Sequence, residues 1–133
     1  MTDLGMEILL DHYKDPRNFG HLESPDIKHE EGNPSCGDQI TIELALDGDI
    51  IKDMRFSGKG CAISQASASM LTEELIGKPL EYAQTMTKDQ LLDLIGIEVN
   101  PMRLKCAMLA LKATKIGAFG LSEWKNEDEE DDF

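Results

Sequence analysis

The chain has 133 residues, with 13 Lys and Arg, 26 Asp and Glu, and a formal net charge of −13. This length favours a single domain that buries its own core without disulfide staples. The charge excludes nucleic acid as a partner, because nucleic-acid affinity comes largely from Lys and Arg that neutralise phosphates, and it disfavours anionic membranes on the same grounds. The longest apolar run, Cys106 to Leu111, is six residues, too short to span a bilayer.

Both ends of the chain carry composition signals. The N-terminus has no basic segment followed by an apolar one, so no export signal is predicted and the cytoplasm is the default location. Six consecutive acids, from Glu127 to Asp132, predict a disordered tail. We therefore predict one domain over residues 1–125 and an acidic tail over residues 126–133. The tail is either a solubility extension or a docking segment for a basic partner.

The first half of the chain predicts a helix followed by strands. The helix covers residues 4–14 and ends before Pro16. A short strand over residues 27–31 runs into a loop of turn-forming residues, 32–38, and strict period-two alternation over residues 39–46 gives the clearest strand. A three-residue turn at Asp47-Gly48-Asp49 leads into a second long strand.

The turn length sets a register between the two long strands. It places Leu46 opposite Ile50, and in the same way Ile42 opposite Met54 and Ile40 opposite Phe56. It also places Glu43 opposite Asp53 and leaves Lys52 among apolar neighbours. The sequence offers no compensating partner for the acidic pair or for Lys52.

The second half predicts helices only. They cover residues 62–76, closed by Gly77, residues 79–85, residues 88–95 with Thr87 as N-cap, and a last helix from Pro101 to about residue 118. On the last helix one flank is expected to face solvent: Lys105, Met108, Lys112 and Lys115. The element order predicts an α+β fold, a small antiparallel β-sheet packed against several α-helices in a single domain.

Three cysteines, Cys36, Cys61 and Cys106, lie far apart and form no C-x-x-C pair. An odd number in a reducing compartment argues against structural disulfides. Cys36 and Asp38 are two apart, so in extended backbone their side chains point to the same side. Cys61 lies just before one helix and Cys106 in the first turn of another, where unpaired N–H groups and the helix dipole stabilise a thiolate, and Lys105 adds positive charge.

The number of ligands limits what these side chains could hold. A [2Fe-2S] cluster and a zinc ion each take four protein ligands, so three Cys leave one place, for which Asp38 is the obvious candidate. A carboxylate suits a thiolate-loving centre less well than a fourth Cys, which suggests a centre that is meant to leave. The alternative is that each Cys is a small buried hydrophobe. The three histidines, His12, His21 and His29, are expected to be solvent-exposed rather than ligands.

Several segments resemble the U-type iron–sulfur scaffold family, which comprises IscU, SufU and the N-terminal domain of NifU. They are residues 12–18 (HYKDPRN), 32–39 (GNPSCGDQ), 58–70 (GKGCAISQASASM) and 103–107 (RLKCA). The resemblance implies a small antiparallel sheet packed on helices with a solvent-accessible metal site at one end. By motif match it implies Cys36, Asp38, Cys61 and Cys106 as the ligands.

The resemblance also implies a function. In such a scaffold a cysteine desulfurase passes persulfide sulfur to a scaffold thiol, iron enters, and a [2Fe-2S] cluster forms and is handed to apo iron–sulfur proteins or carrier proteins. Cys106 is the expected first sulfur acceptor. The protein would be a non-enzymatic platform, since the chemistry at sulfur belongs to the partner enzyme. Whether two copies form a homodimer around a shared cluster is left open.

Two features bear on the branch of the family. Lys105 stands where the chaperone-assisted branch has His, which resembles the branch of zinc-binding sulfur acceptors that stimulate a cysteine desulfurase. Only Pro101 remains of the first branch's Leu-Pro-Pro-Val-Lys motif, so help from a dedicated Hsp70 chaperone is not expected. However, the zinc branch carries an insertion between its second and third Cys, whereas here Cys61 and Cys106 are only 45 positions apart. The expected function is therefore cluster assembly, with the zinc-binding sulfurtransferase as one alternative and a metal-free thiol-redox or interaction domain as another.

Overall fold

The fold is α+β, as the element order predicts. The computed structural model describes residues 4–33, 37–97, 99 and 101–119, with Met102 and Phe119 described by their backbone only. In this part of the chain a three-stranded antiparallel sheet, in the order β1-β2-β3, packs with helices. The elements are α1 (Leu4–Lys14), β1 (Ile27–Asn33), β2 (Asp38–Asp47), β3 (Ile50–Lys59), α2 (Ala62–Leu75), α3 (Leu80–Thr85), α4 (Lys88–Ile95) and α5 (Pro101–Phe119). None of the described helices is long and apolar enough to cross a membrane.

The best predicted elements are those whose ends are encoded locally. α1 and α4 have the predicted bounds. α4 begins at a capping box, in which Thr87 accepts a hydrogen bond from the Gln90 N–H and the Gln90 side chain accepts one from the Thr87 N–H, and it ends at Gly96 with φ +81°. β1 is two residues longer than predicted because it continues pairing with β2 as far as Asn33 and Asp38.

The predicted register between β2 and β3 is wrong by two residues along most of the pair and by one residue beside the turn. Ile42 lies opposite Phe56 and Leu44 opposite Met54, whereas Leu46 pairs with Ile51. The register shifts between Ala45 and Leu46, and this irregularity takes Lys52 out of the pairing and turns it to solvent. The apolar residues before the irregularity keep their predicted face, because a two-residue slip preserves the period-two alternation. Beside the turn the slip is one residue, so Ile51 is buried and Ile50, which was predicted to lie on the apolar face, is exposed.

Glu43 is buried and has partners that the sequence did not reveal. It lies opposite Arg55 rather than Asp53. Its carboxylate accepts hydrogen bonds from His21 Nδ1, at 2.7 Å, and from the Leu22 N–H, at 2.9 Å. Burial alone would raise the pKa of Glu43, but these two hydrogen bonds and the charge of His21 bring the pKa below its ordinary value. The segment after α1 is thereby tied to the outer face of β2.

Helix α5 lies at the centre of the fold. It contacts β1, β2, α2, α3 and α4. The prediction that one flank faces solvent is therefore wrong for Met108, which is 1% exposed, and for Lys115, which is 5% exposed, whereas Lys105 is exposed. A helix enclosed on several sides has no single polar face, so its sequence shows little amphipathic contrast.

His12 is buried, which corrects the expectation that all three histidines face solvent. It lies between α1 and α2, where its Nδ1 is 2.7 Å from Ser69 Oγ and its Nε2 is 3.7 Å from Glu73 Oε1. The Arg17 N–H donates to the same Ser69 oxygen at 2.8 Å, so we assign the serine hydroxyl as donor to a neutral His12. His29 is half-buried on β1 beside Glu31, and His21 is exposed.

This arrangement predicts that acid destabilises the fold through His12. Burial, with a smaller contribution from Arg17, lowers the pKa of His12 below its ordinary value of 6.5, against the opposing effect of Glu73 and Asp11. The unfolded chain then binds more protons below pH 6.5, so stability is lost as pH falls through the lowered pKa, by at most about 1.4 kcal/mol per pH unit. Urea unfolding at pH 7.5 and 5.5 should show this loss in the wild type and a smaller one in His12→Asn. An equal loss in both proteins would contradict the assignment.

Candidate metal centre

Four residues were predicted to be metal ligands, and the structure describes three of them. These three lie close together in space. Ligand atoms of Asp38, Cys61 and Cys106 all lie within 4.8 Å of one another. Cys61 Sγ and Asp38 Oδ2 lie 3.6 Å apart. Cys36 lies outside the described residues, so its membership of the site stays a prediction. No histidine belongs to this group among the described residues.

Asp38 is placed by the end of a hairpin. It is the first residue of β2 and pairs with Asn33, the last residue of β1. The connection closes with Gly37 at φ +77°, a left-handed conformation that suits glycine, and the Gly37 N–H donates to the Asn33 carbonyl at 2.8 Å. Asp38 is 5% exposed. The carboxylate is therefore held on the buried face of the sheet, where an unpaired charge is costly and a cation is favoured.

Cys61 is placed by the start of a helix. It is the N-cap of α2 in extended conformation, and its side chain makes no capping hydrogen bond. The sulfur points instead to Asp38 and to Ser64, whose Oγ lies 3.8 Å away. The predicted position of Cys61 just before a helix is confirmed.

Gly60 makes the approach of these groups possible. A Cβ at this position would lie 2.2 Å from Ser64 Oγ and 3.1 Å from Asp38 Cγ. Two residues earlier, a Cβ on Gly58 would lie 2.1 Å from the Gln39 carbonyl oxygen, and Gly58 has φ +126°. The two glycines let the end of β3 pass close against the start of β2.

Cys106 comes from deeper in its helix than predicted. α5 begins at Pro101, so Cys106 is its sixth residue and lies in the second turn, beyond the unpaired N–H groups of the first. It is 1% exposed, whereas Cys61 is half-buried and the neighbouring Lys105 is exposed. The family resemblance implied a solvent-accessible site, and solvent reaches Cys61 but not Cys106.

The donor set fits a soft or borderline metal. Two thiol sulfurs and one carboxylate oxygen are ligands of zinc and of iron, and a fourth donor would complete the usual coordination of either. Two further side chains contact the sulfurs and were missed at the level of sequence: Ser64 near Cys61, and Asn33, whose Nδ2 lies 3.9 Å from Cys106 Sγ. Ser64 could have been found, since it follows the helix N-cap by three residues. Asn33 reads as an ordinary turn residue.

Residues 6–128 match the family model described as the NifU-like N terminal domain. The chain belongs to this family. Its membership confirms the resemblance drawn from the cysteine motifs, and the family's solved structures share the fold. A chain titled as a putative iron–sulfur cluster assembly scaffold protein for the SUF system, from Fervidobacterium islandicum AW-1, superposes with a TM-score of 0.71 at 31% identity, covering 84% of this chain and 94% of that one.

Two curated relatives carry different functional names. The zinc-dependent sulfurtransferase SufU of Bacillus subtilis is 42% identical over 134 residues, covering 88% of this chain and 90% of that protein. The iron–sulfur cluster assembly scaffold protein IscU of Aquifex aeolicus is 38% identical over 112 residues, covering 83% of this chain and 71% of that protein. The family is thus shown, while the two names describe two different uses of the same domain.

The contacts at Gly60 predict that a single added methyl group damages the site. In Gly60→Ala the new Cβ would push Ser64 and Asp38 apart, and we expect zinc affinity to fall by about tenfold or more, as for other changes to groups that orient metal ligands. Chelator competition measures the affinity. Gly32→Ala is the matched control, because among the described residues its Cβ would meet only the Asp38 carbonyl oxygen, at an ordinary 3.5 Å. Equal affinity in both variants would contradict the steric argument.

Proposed function

We propose that this protein is a scaffold on which a [2Fe-2S] cluster is assembled from iron and desulfurase-derived sulfur and then transferred to apo-proteins. The observation that carries the proposal is the convergence of two cysteine sulfurs and one aspartate oxygen within 4.8 Å, from three separate parts of the chain. Membership of the NifU-like family and relatives named as IscU scaffold proteins support it. Cys36 is the proposed fourth ligand.

The donor set supports release of the cluster as well as its assembly. Permanent clusters usually have four thiolate ligands. A carboxylate from Asp38 would bind a soft metal centre more weakly than the three thiolates do. Cys61, half-buried, lies on the accessible side of the group, whereas Asp38 and Cys106 are buried. The protein would hold and expose its cargo without performing a reaction of its own.

Sulfur would come from a cysteine desulfurase. In the transfer step a scaffold thiolate attacks the outer sulfur of the enzyme's persulfide, the S–S bond breaks, and the enzyme's cysteine leaves as a thiolate. Cys106 is the proposed first acceptor, because the exposed ammonium of Lys105, the preceding residue in the chain, attracts the anionic persulfide. Since Cys106 is 1% exposed, this step requires the start of α5 to open.

The compact middle of the chain favours the assembly function over the zinc-dependent one. The alignment with the Bacillus subtilis protein has 134 positions but covers 88% of this 133-residue chain, so that relative has residues without counterparts here. Between Cys61 and Cys106 the structure has α2, α3 and α4 joined by short connections. This agrees with the absence of the insertion that is expected in the zinc branch.

The other parts of the proposal rest on the sequence. We propose a domain over residues 1–125, of which the family match covers nearly all, and an acidic tail over residues 126–133, which lies outside the described residues. Cytoplasmic location, apo iron–sulfur proteins or carriers as recipients, and a homodimer around a shared cluster are proposed on the same basis.

The scaffold function predicts a labile cluster whose release depends on Asp38. Anaerobic incubation with ferrous iron, cysteine, a thiol reductant and a desulfurase should give a red-brown protein with charge-transfer absorption in the visible. In Asp38→Ala, transfer to an apo-ferredoxin should slow by roughly tenfold, a typical effect of changing a group in a metal site. Asp47→Ala, an exposed carboxylate at the far end of β2, is the control. Transfer from Asp38→Ala at the wild-type rate would contradict the labile-ligand argument.

The second candidate function is a zinc-site sulfur acceptor that stimulates a cysteine desulfurase. The relative named as a zinc-dependent sulfurtransferase and Lys105 before the last cysteine favour it. Stoichiometric zinc that is required for desulfurase stimulation, with persulfide found on Cys106 by mass spectrometry and lost in Cys106→Ser, would support this function. Zinc in the isolated protein alone decides nothing, since a vacant thiolate site binds zinc readily.

A further inference from the structure

Asn33 directs its side-chain amide at a sulfur of the metal centre. Its Nδ2 lies 3.9 Å from Cys106 Sγ, in a contact between buried groups 73 residues apart in the chain. Asn33 is 8% exposed and Cys106 is 1% exposed, so water has little access to this pair. In such surroundings a hydrogen bond to sulfur is electrostatically stronger than it would be in water.

The sheet fixes the direction of this amide. Asn33 and Asp38 are directly opposite each other in the last pair of the β1–β2 ladder, so their side chains stand on the same face. The Gly37 N–H donates to the Asn33 carbonyl at 2.8 Å, and this hydrogen bond fixes the backbone of Asn33. One end of one hairpin therefore supplies a carboxylate beside Cys61 and an amide donor beside Cys106.

An amide donor changes a thiolate without adding charge. An N–H group that points at sulfur stabilises its lone pairs and restricts the rotation of the cysteine side chain. It also reduces the electron density that the sulfur gives to a metal, and hydrogen bonds to cysteine sulfur are known to tune metal centres in this way. A lysine at the same place would neutralise the charge of the thiolate. An asparagine only orients the thiolate and reduces its donor strength.

We propose that Asn33 is a positioning residue of the metal centre, which donates an N–H···S hydrogen bond to Cys106 and so sets the orientation and donor strength of that thiolate. The proposal deepens the proposed function and rests on Cys106 being a ligand. It assigns to the asparagine of the sequence Asn33-Pro-Ser-Cys36 a role separate from that of the cysteine.

Cobalt(II) substitution tests the proposal by spectroscopy. The sulfur-to-cobalt charge-transfer band should move to longer wavelength in Asn33→Ala, because a thiolate without its hydrogen bond gives up an electron more easily. Asn18→Gly is the matched control: it removes another amide, which donates to Thr72 at 3.0 Å, and glycine suits its φ of +60°. The band should stay in place in this variant. An unmoved band in Asn33→Ala would overturn the proposal.

A double variant separates positioning from a general loosening of the fold. In a Cys106→Ser background the remaining thiolates still give a charge-transfer band, and Asn33→Ala should shift it no further, since the two changes act on one contact. An equal shift in both backgrounds would show that Asn33 does not act through Cys106 and would overturn the proposal.

A measurement on the metal-free protein keeps the test independent of metal loading. In a proton–nitrogen NMR spectrum one side-chain amide proton of Asn33, assigned by its loss in Asn33→Ala, should move upfield in Cys106→Ala, where the sulfur acceptor is gone. An unchanged resonance would overturn the proposal. If the protein fails to assemble a cluster but shows both predicted shifts, the scaffold function is contradicted and the role of Asn33 stands. If it assembles a cluster but shows neither shift, the role of Asn33 is contradicted and the scaffold function stands.

Discussion

The site depends on how closely the end of β3 passes the start of β2. Gly58 and Gly60 allow this approach, because a side chain at either position would collide with Gln39 or with Ser64 and Asp38. Only then does the Cys61 sulfur, at the N-cap of α2, come within 3.6 Å of the Asp38 carboxylate. Gathering these groups in a buried corner is costly for a metal-free fold, and a cation of two or more charges offsets this cost.

Polar contacts remote from the corner hold the elements that form it. His12 on α1 and the backbone of Arg17 both bond to Ser69, in the middle of the helix that begins after Cys61. Glu43 in turn ties the segment after α1 to β2, the strand that begins at Asp38. These buried groups have specific partners, so they select one arrangement of helix and sheet rather than merely adding stability.

The sequence predicts those features that short segments determine. Pro16 predicted the end of α1, the Thr87 cap and Gly96 predicted the bounds of α4, and the cysteine motifs identified three residues that the fold brings together. The register of β2 and β3 was missed because the irregularity at Lys52 depends on both strands and on the residues packed beneath them. The burial of His12, the partners of Glu43 and the contact of Asn33 with Cys106 arise between segments 21 to 73 residues apart, where no local pattern reports them.

Sulfur and oxygen donors from distant parts of the chain together bind one metal ion or cluster in the proposed site. X-ray absorption at the zinc edge of the zinc-loaded protein tests it most directly, because the first coordination shell gives both the number and the kind of ligands. The account predicts three sulfurs at about 2.3 Å and one oxygen at about 2.0 Å, with one sulfur fewer in Cys61→Ser and in Cys106→Ser. A shell of nitrogen and oxygen alone, or an unchanged sulfur count in those variants, would contradict it.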